Sequence, residues 1–158
     1  MKKLLSLLIV LSVSYGIAYA DGFTNESFQG TYALDTVTGA NNGCGISLIT
    51  ADGNGNFTGS GILNVPGLFF PKRMRIPTTS TGTYDVNSDG TAVGTLTFTT
   101  PDGTSVTVHM DAIAKTAEVV DGIKLATEVV GFFIEPGTFI LEGKPGLLTT
   151  FNATRLPD

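Results

Sequence analysis

The residues best suited to chemistry lie in one short stretch, Leu68-Phe69-Phe70-Pro71-Lys72-Arg73-Met74-Arg75. Two aromatic rings beside three cations fit an anionic amphiphile: Phe69 and Phe70 would cover an apolar body, while Lys72, Arg73 and Arg75 would hold an anionic head. The competing reading is a loop whose phenylalanines plug the fold and whose charges solvate.

Three other groupings carry weaker chemistry. His109, the single histidine, shares a strand face with Thr107 and Asp111, so imidazole and carboxylate point the same way, as an acid-base pair requires. No nucleophile can be placed beside them, and the simpler reading is the solvent face opposite Val106, Val108 and Met110. Asp52-Gly53-Asn54-Gly55-Asn56 begins like a calcium loop, but Phe57 and Leu63 stand where an EF-hand needs Gly and Glu. It is better read as a turn. Glu118, Glu128, Glu135 and Glu142 fall on different segments, and two inward carboxylates among them would suit glycoside chemistry, although scattered surface charge is the plainer explanation. Cys44 is the only cysteine, has no neighbouring Lys, Arg or His to activate it, and is expected to be a small buried hydrophobe. The sequence thus offers no catalytic residues, no metal site and no cofactor motif.

The elements that would position these groups are strands. Cys44–Ala51 and Phe57–Leu63 alternate apolar and polar residues on either side of the Asp52–Asn56 turn, which is a hairpin, with Ile46 and Leu48 expected as a core pair. Phe28–Leu34 reads as the first strand, with Tyr32 and Leu34 on one face. Val65–Pro77 reads as a long connection. Gly82-Thr83-Tyr84 echoes Gly30-Thr31-Tyr32 as a further strand opens. Ala92–Thr99, Ser105–Ala114, Ala117–Val120, Ile123–Val130, Thr138–Glu142 and Leu147–Arg155 follow, with Asp121-Gly122 as a two-residue turn.

No apolar repeat of helical period follows residue 20, so the fold class is all-β, a single antiparallel barrel of about 8–10 short strands or, as the alternative, a β-sandwich. Glycines within or beside strands, Gly30, Gly59, Gly61, Gly82, Gly94 and Gly131, favour a barrel, because closing a sheet bends strands at corners. An outer-membrane barrel fits less well, since aromatic girdles are missing and the strands look short for a bilayer.

Residues 1–20 read as a secretory signal peptide: Lys2-Lys3, an apolar run from Leu4 to Val13, then Ala18-Tyr19-Ala20. Residues 21–158 form one domain, expected to be periplasmic or extracellular and without a transmembrane segment. The leader holds two of the nine basic residues and none of the fourteen acidic ones, so seven cations face fourteen anions afterwards, which argues against nucleic acid.

Gly30-Thr31-Tyr32 at the head of the first strand and Arg155 at the end of the last resemble the signature of lipocalin-like, or calycin, barrels. In those a Gly-x-Trp opens strand one and a basic residue of the last strand packs across the ring; here Tyr32 replaces the Trp. The Asp-Gly-x-Gly hairpin also looks like those of small exported bacterial barrels. The resemblance implies a ligand-binding barrel closed at one end by Tyr32 and Arg155. A guanidinium over an aromatic face has its own physical rationale.

The leading expectation is a non-enzymatic exported barrel binding a small apolar or anionic amphiphilic ligand. Two rivals stand beside it: an enzyme on an allene-oxide-cyclase-like or dirigent-like barrel, and a structural or surface-associated protein whose interior is packed. The oligomeric state is not legible. A hollow interior separates binder from structural protein, since a ligand needs a few hundred Å³.

Overall fold

A computed structural model describes residues 22–38, 43–66, 73–134 and 148–157. Eight antiparallel strands close into a barrel in sequence order. They are β1 (Gly30–Thr38), β2 (Gly43–Ala51), β3 (Asn56–Pro66), β4 (Arg73–Val86), β5 (Thr91–Thr99), β6 (Ser105–Val120), β7 (Ile123–Ile134) and β8 (Leu148–Arg155). The seam is the β1–β8 ladder, which runs from Tyr32 opposite Arg155 to Val37 opposite Thr150. A sheet closed on itself leaves no full-length edge strand, which limits strand-to-strand aggregation.

Ser105–Val120 is one strand rather than two. Its ladder with β7 shifts register between Ala114 and Ala117, so the apparent break in alternation is an irregularity that leaves the strand continuous. The expected connection at Val65–Pro77 is mostly strand as well, since β3 continues to Pro66 and β4 begins at Arg73. Pro77 obscured this. It pairs with Ile62, but β5 reaches β4 only at Thr79, so Arg73–Thr78 is a local edge where proline is tolerated. The expected strand at Thr138–Glu142 lies outside the described residues.

At one end of the barrel are the turns at 52–55, 87–90 and 121–122, and the other end carries the connections after β1, β3, β5 and β7. The three-turn end is shut by a 3-10 turn over Asn25–Phe28. Phe28 lies 6.0 Å from Tyr84, which stacks on Phe57 at 5.9 Å. The Tyr84 hydroxyl donates to the Asn25 carbonyl and accepts from Gly53 N–H, while Asn25 Oδ1 accepts from Val86 N–H at 2.8 Å. The plug and two hairpins are thereby tied together. Asp52 makes its turn in the same economical way, accepting from the backbone N–H of Asn54 and Asn56 and from the Asn56 amide. Asp121 and Gly122 take φ of 51° and 83°, as a two-residue hairpin turn demands.

Tyr32, Leu34, Ile49, Phe57, Leu96, Val108, Phe133 and Phe151 point inward and form the core. Phe133 and Phe151 stack at 4.6 Å. An apolar interior is the reverse of the polar lumen of an outer-membrane barrel. A row of threonines makes part of the outer wall polar. Thr31, Thr50, Thr58, Thr81, Thr97 and Thr107 are successive cross-strand partners from β1 to β6. Thr31 and Thr50 hydroxyls meet at 3.1 Å, and those of Thr97 and Thr107 at 2.8 Å. Threonine is β-branched yet polar, so this row favours the strand without adding exposed apolar area.

Candidate functional site

The interior offers little room. A void of about 60 Å³ lies inside, enclosed by Phe28, Tyr32, Phe57, Tyr84, Phe133 and other core side chains. That is too small for the ligand a hollow barrel would carry. Towards the opposite end several inward positions are hydroxylated, with Thr36, Thr78, Ser80 and Thr149 all buried.

The larger space is outside. A groove of about 930 Å³ crosses the outer wall of β1 to β4 and ends against Thr99, Thr100 and Pro101 at the β5–β6 turn. Its floor is apolar, with Ala33, Ile46, Leu48, Ile62 and Pro77, and Asp35 is its single ionisable lining residue. The expectation that Ile46 and Leu48 form a core pair is therefore overturned: they are 65% and 52% exposed. Cys44 shares their face and is exposed, which corrects the expectation that it is buried. The inward partners on β2 are instead Gly45, Ile49 and Ala51.

Glycine explains both the reversal and the dent. Gly59 and Gly61 on β3 stand opposite Ile49 and Ser47 on β2. A Cβ on Gly61 would overlap Ser47 Oγ and come within 2.5 Å of the Ile46 carbonyl oxygen. The two strands approach more closely than side chains allow, and the inward residues beside them include the small Gly45, Ser47, Thr78 and Ser80. The groove lies over these strands, and their outward apolar side chains line it.

Of the residues expected to bind a ligand, Phe69, Phe70 and Lys72 lie outside the described residues. Arg73 and Arg75 project from the outer wall of β4. Arg73 is committed to Asn64, donating to its Oδ1 at 2.7 Å and to its carbonyl at 2.9 Å. Arg75 sits two residues from Pro77 on the same face, so it borders the groove, and among the described residues it makes no ion pair.

Tyr32 and Arg155 are direct cross-strand partners at the seam. The Tyr32 hydroxyl donates to the Ala126 carbonyl at 2.9 Å. Burial pushes its pKa up to about 12, against the opposing pull of the Arg155 charge. Arg155 is largely buried and reaches Glu118 at 3.8 Å. It passes so close to Gly30 that a Cβ there would lie 2.7 Å from Nε, and Gly30 also has φ +127°. Glycine is thus required twice over at the head of β1.

The weaker groupings do not assemble. His109 is exposed, with Thr95 and Ile134 as its cross-strand partners. Glu128 pairs with Lys115 at 2.9 Å, and Glu135 and Glu142 lie outside the described residues. Among the described residues no three His, Cys, Asp or Glu side chains form a group able to hold a metal ion.

A second apolar surface was not anticipated. Val93, Ile113, Phe132 and Ile134 are exposed on the outer wall of β5 to β7. Asp111 lies among them, with Val93 and Phe132 as its cross-strand partners. The signal was present in the sequence as Phe132-Phe133-Ile134, where only one of each adjacent pair can face inward.

Comparison with known proteins finds no family model, no curated protein and no solved structure that matches the chain.

Proposed function

We propose that this protein is a non-enzymatic binding barrel that works through its outer wall, with the groove across β1 to β4 taking an apolar partner. The contrast in space carries the reading: about 60 Å³ inside against about 930 Å³ outside. Pockets for small molecules span about 300–1,000 Å³ and are mostly apolar, so the groove falls in that range and the interior does not. The packed core then serves stability. Acid-base catalysis would need a partner for Asp35, which is alone among the lining residues.

A second reading places a small anionic amphiphile in the same groove, its head on Arg75 and its chain over Pro77, Ile62 and Ile46. The observation favouring it is a cation with no ion pair among the described residues at the margin of an apolar floor.

Titration with anilinonaphthalene sulfonate, an apolar fluorophore with an anionic head, tests the groove. Saturable binding is expected, lost in Leu48→Glu without a fall in melting temperature because that side chain faces solvent. Binding unchanged by Leu48→Glu would reject the outer groove.

A further inference from the structure

The chain carries two exposed apolar surfaces of opposite shape. One is the groove, centred on β2 and β3 and floored by Ile46, Leu48 and Ile62. The other is the β6–β7 wall, with Ile113, Phe132 and Ile134 exposed. A barrel's outer wall is convex wherever it is not dented, so the second surface has the form the first can receive. Contiguous exposed apolar area of this kind marks contact surfaces in soluble proteins.

A cation at the edge of the first and an anion on the second are complementary, while Asp35, the groove's one ionisable lining residue, lies on β1 at its far side. Arg75 borders the groove, one strand over from Ile62 and two residue pairs further along the ladder. Asp111 stands beside Phe132, half-buried among apolar side chains. Neither forms an ion pair among the described residues. Asp111 has Val93 and Phe132 across the strands and His109 and Ile113 on either side along β6, and a guanidinium delivered from outside would give it an ion-pair partner.

Position decides the kind of assembly. In a closed ring of eight strands, the β2–β3 and β6–β7 pairs are four strands apart, half the circumference. An interface joining two different, opposite patches is heterologous, and one whose faces point in opposite directions propagates in a line without closing into a small ring.

We infer that the groove of one copy receives the β6–β7 wall of the next, with Arg75 of the first against Asp111 of the second, so that the protein self-associates head to tail. This rests on the groove being the binding face and names a second copy of the chain as its occupant. An amphiphile in the groove would cap the assembly.

Two outer-wall variants test it by sedimentation velocity. Ile46→Glu disables the groove and keeps the β6–β7 wall; Phe132→Glu does the reverse. Both positions face solvent, and an unchanged urea midpoint for each verifies folding. The wild-type protein is expected to grow beyond a dimer as concentration rises, and each variant alone to stay monomeric. An equimolar mixture should form a one-to-one dimer that grows no further, because both of its free faces are the disabled ones. A wild-type protein that stays monomeric at all concentrations, one that stops at a dimer, or a mixture that stays monomeric would overturn the inference. Anilinonaphthalene sulfonate binding to Phe132→Glu separates the two claims: if it persists while the wild-type protein stays monomeric at all concentrations, the groove still binds and only its occupant was misassigned. Loss of binding there, with Leu48→Glu still binding, would reject both.

Discussion

Replacing Gly82 by alanine is the sharpest test of how this barrel closes. Gly82 sits on β4 between Phe57 of β3 and Leu96 of β5. An added Cβ would come within 2.5 Å of the Phe57 ring and closer still to the Thr95 carbonyl oxygen. The ring is held by its stack on Tyr84, and the carbonyl belongs to the neighbouring strand, so neither can yield cheaply. Overpacking against fixed groups costs about 1–3 kcal/mol, and backbone involvement puts this case near about 3 kcal/mol. For a chain of this size that lowers the melting temperature by roughly 10 °C. Gly103→Ala is the control: nothing lies within 4 Å of its Cβ position, and its φ of +85° leaves only backbone strain. That strain costs about 1–2 kcal/mol. Urea unfolding of both variants, with m unchanged, measures the difference. A Gly82→Ala protein no less stable than Gly103→Ala would refute the claim that strand approach at inward glycines shapes the wall.

Two further outcomes concern pH. Tyr32 is buried with its pKa raised from 10.0 to about 12, so between those values the unfolded chain releases a proton that the folded chain keeps. Stability is therefore full below pH 10 and falls as pH rises towards about 12, by about 2–3 kcal/mol for a shift of this size. Tyr32→Phe should cost about 1 kcal/mol at neutral pH through the lost hydrogen bond, and should flatten the alkaline fall in urea midpoint. Hydrogen bonds accepted by Asp52, Asp89 and Asp102 in their turns hold all three carboxyl groups below the ordinary 3.8. Their contribution is present above that value and is lost as pH drops through the lowered ones, so the triple Asp→Asn protein should show a smaller fall in urea midpoint between about pH 4 and 2 than the parent.

The class of fold was legible because turn chemistry and alternation agree: Asp-Gly at 52, 89, 102 and 121 separates segments rich in Thr, Val and Ile. Glycine within strands pointed to closure on the ground that strands bend at barrel corners, whereas Gly61, Gly82 and Gly94 mark places where neighbouring strands exclude a Cβ. The site was less legible, because alternation alone cannot say which face of β2 is inside. Ile46 and Leu48 looked like the buried pair, yet Ile49 and Ala51 are the ones that face the core. Cross-strand register held the answer: Gly59 and Gly61 lie opposite Ile49 and Ser47, so the side of the hairpin able to press close is the inner one. Register is a long-range property, which no single strand displays. The Phe69–Arg75 stretch was singled out by composition, and of it the described residues show Arg73 tied to Asn64 and Arg75 at the groove's margin.

The central claim is that binding occurs on the outer wall while the interior only stabilises. Methyl-resolved NMR of the protein with anilinonaphthalene sulfonate bound tests this most directly, because isoleucine, leucine and valine methyls lie on both sides of the wall. Intermolecular contacts to Ile46, Leu48 and Ile62 are predicted, with Leu34, Leu96 and Val129 untouched. Contacts to those three inner residues, and none to the outer three, would contradict the account.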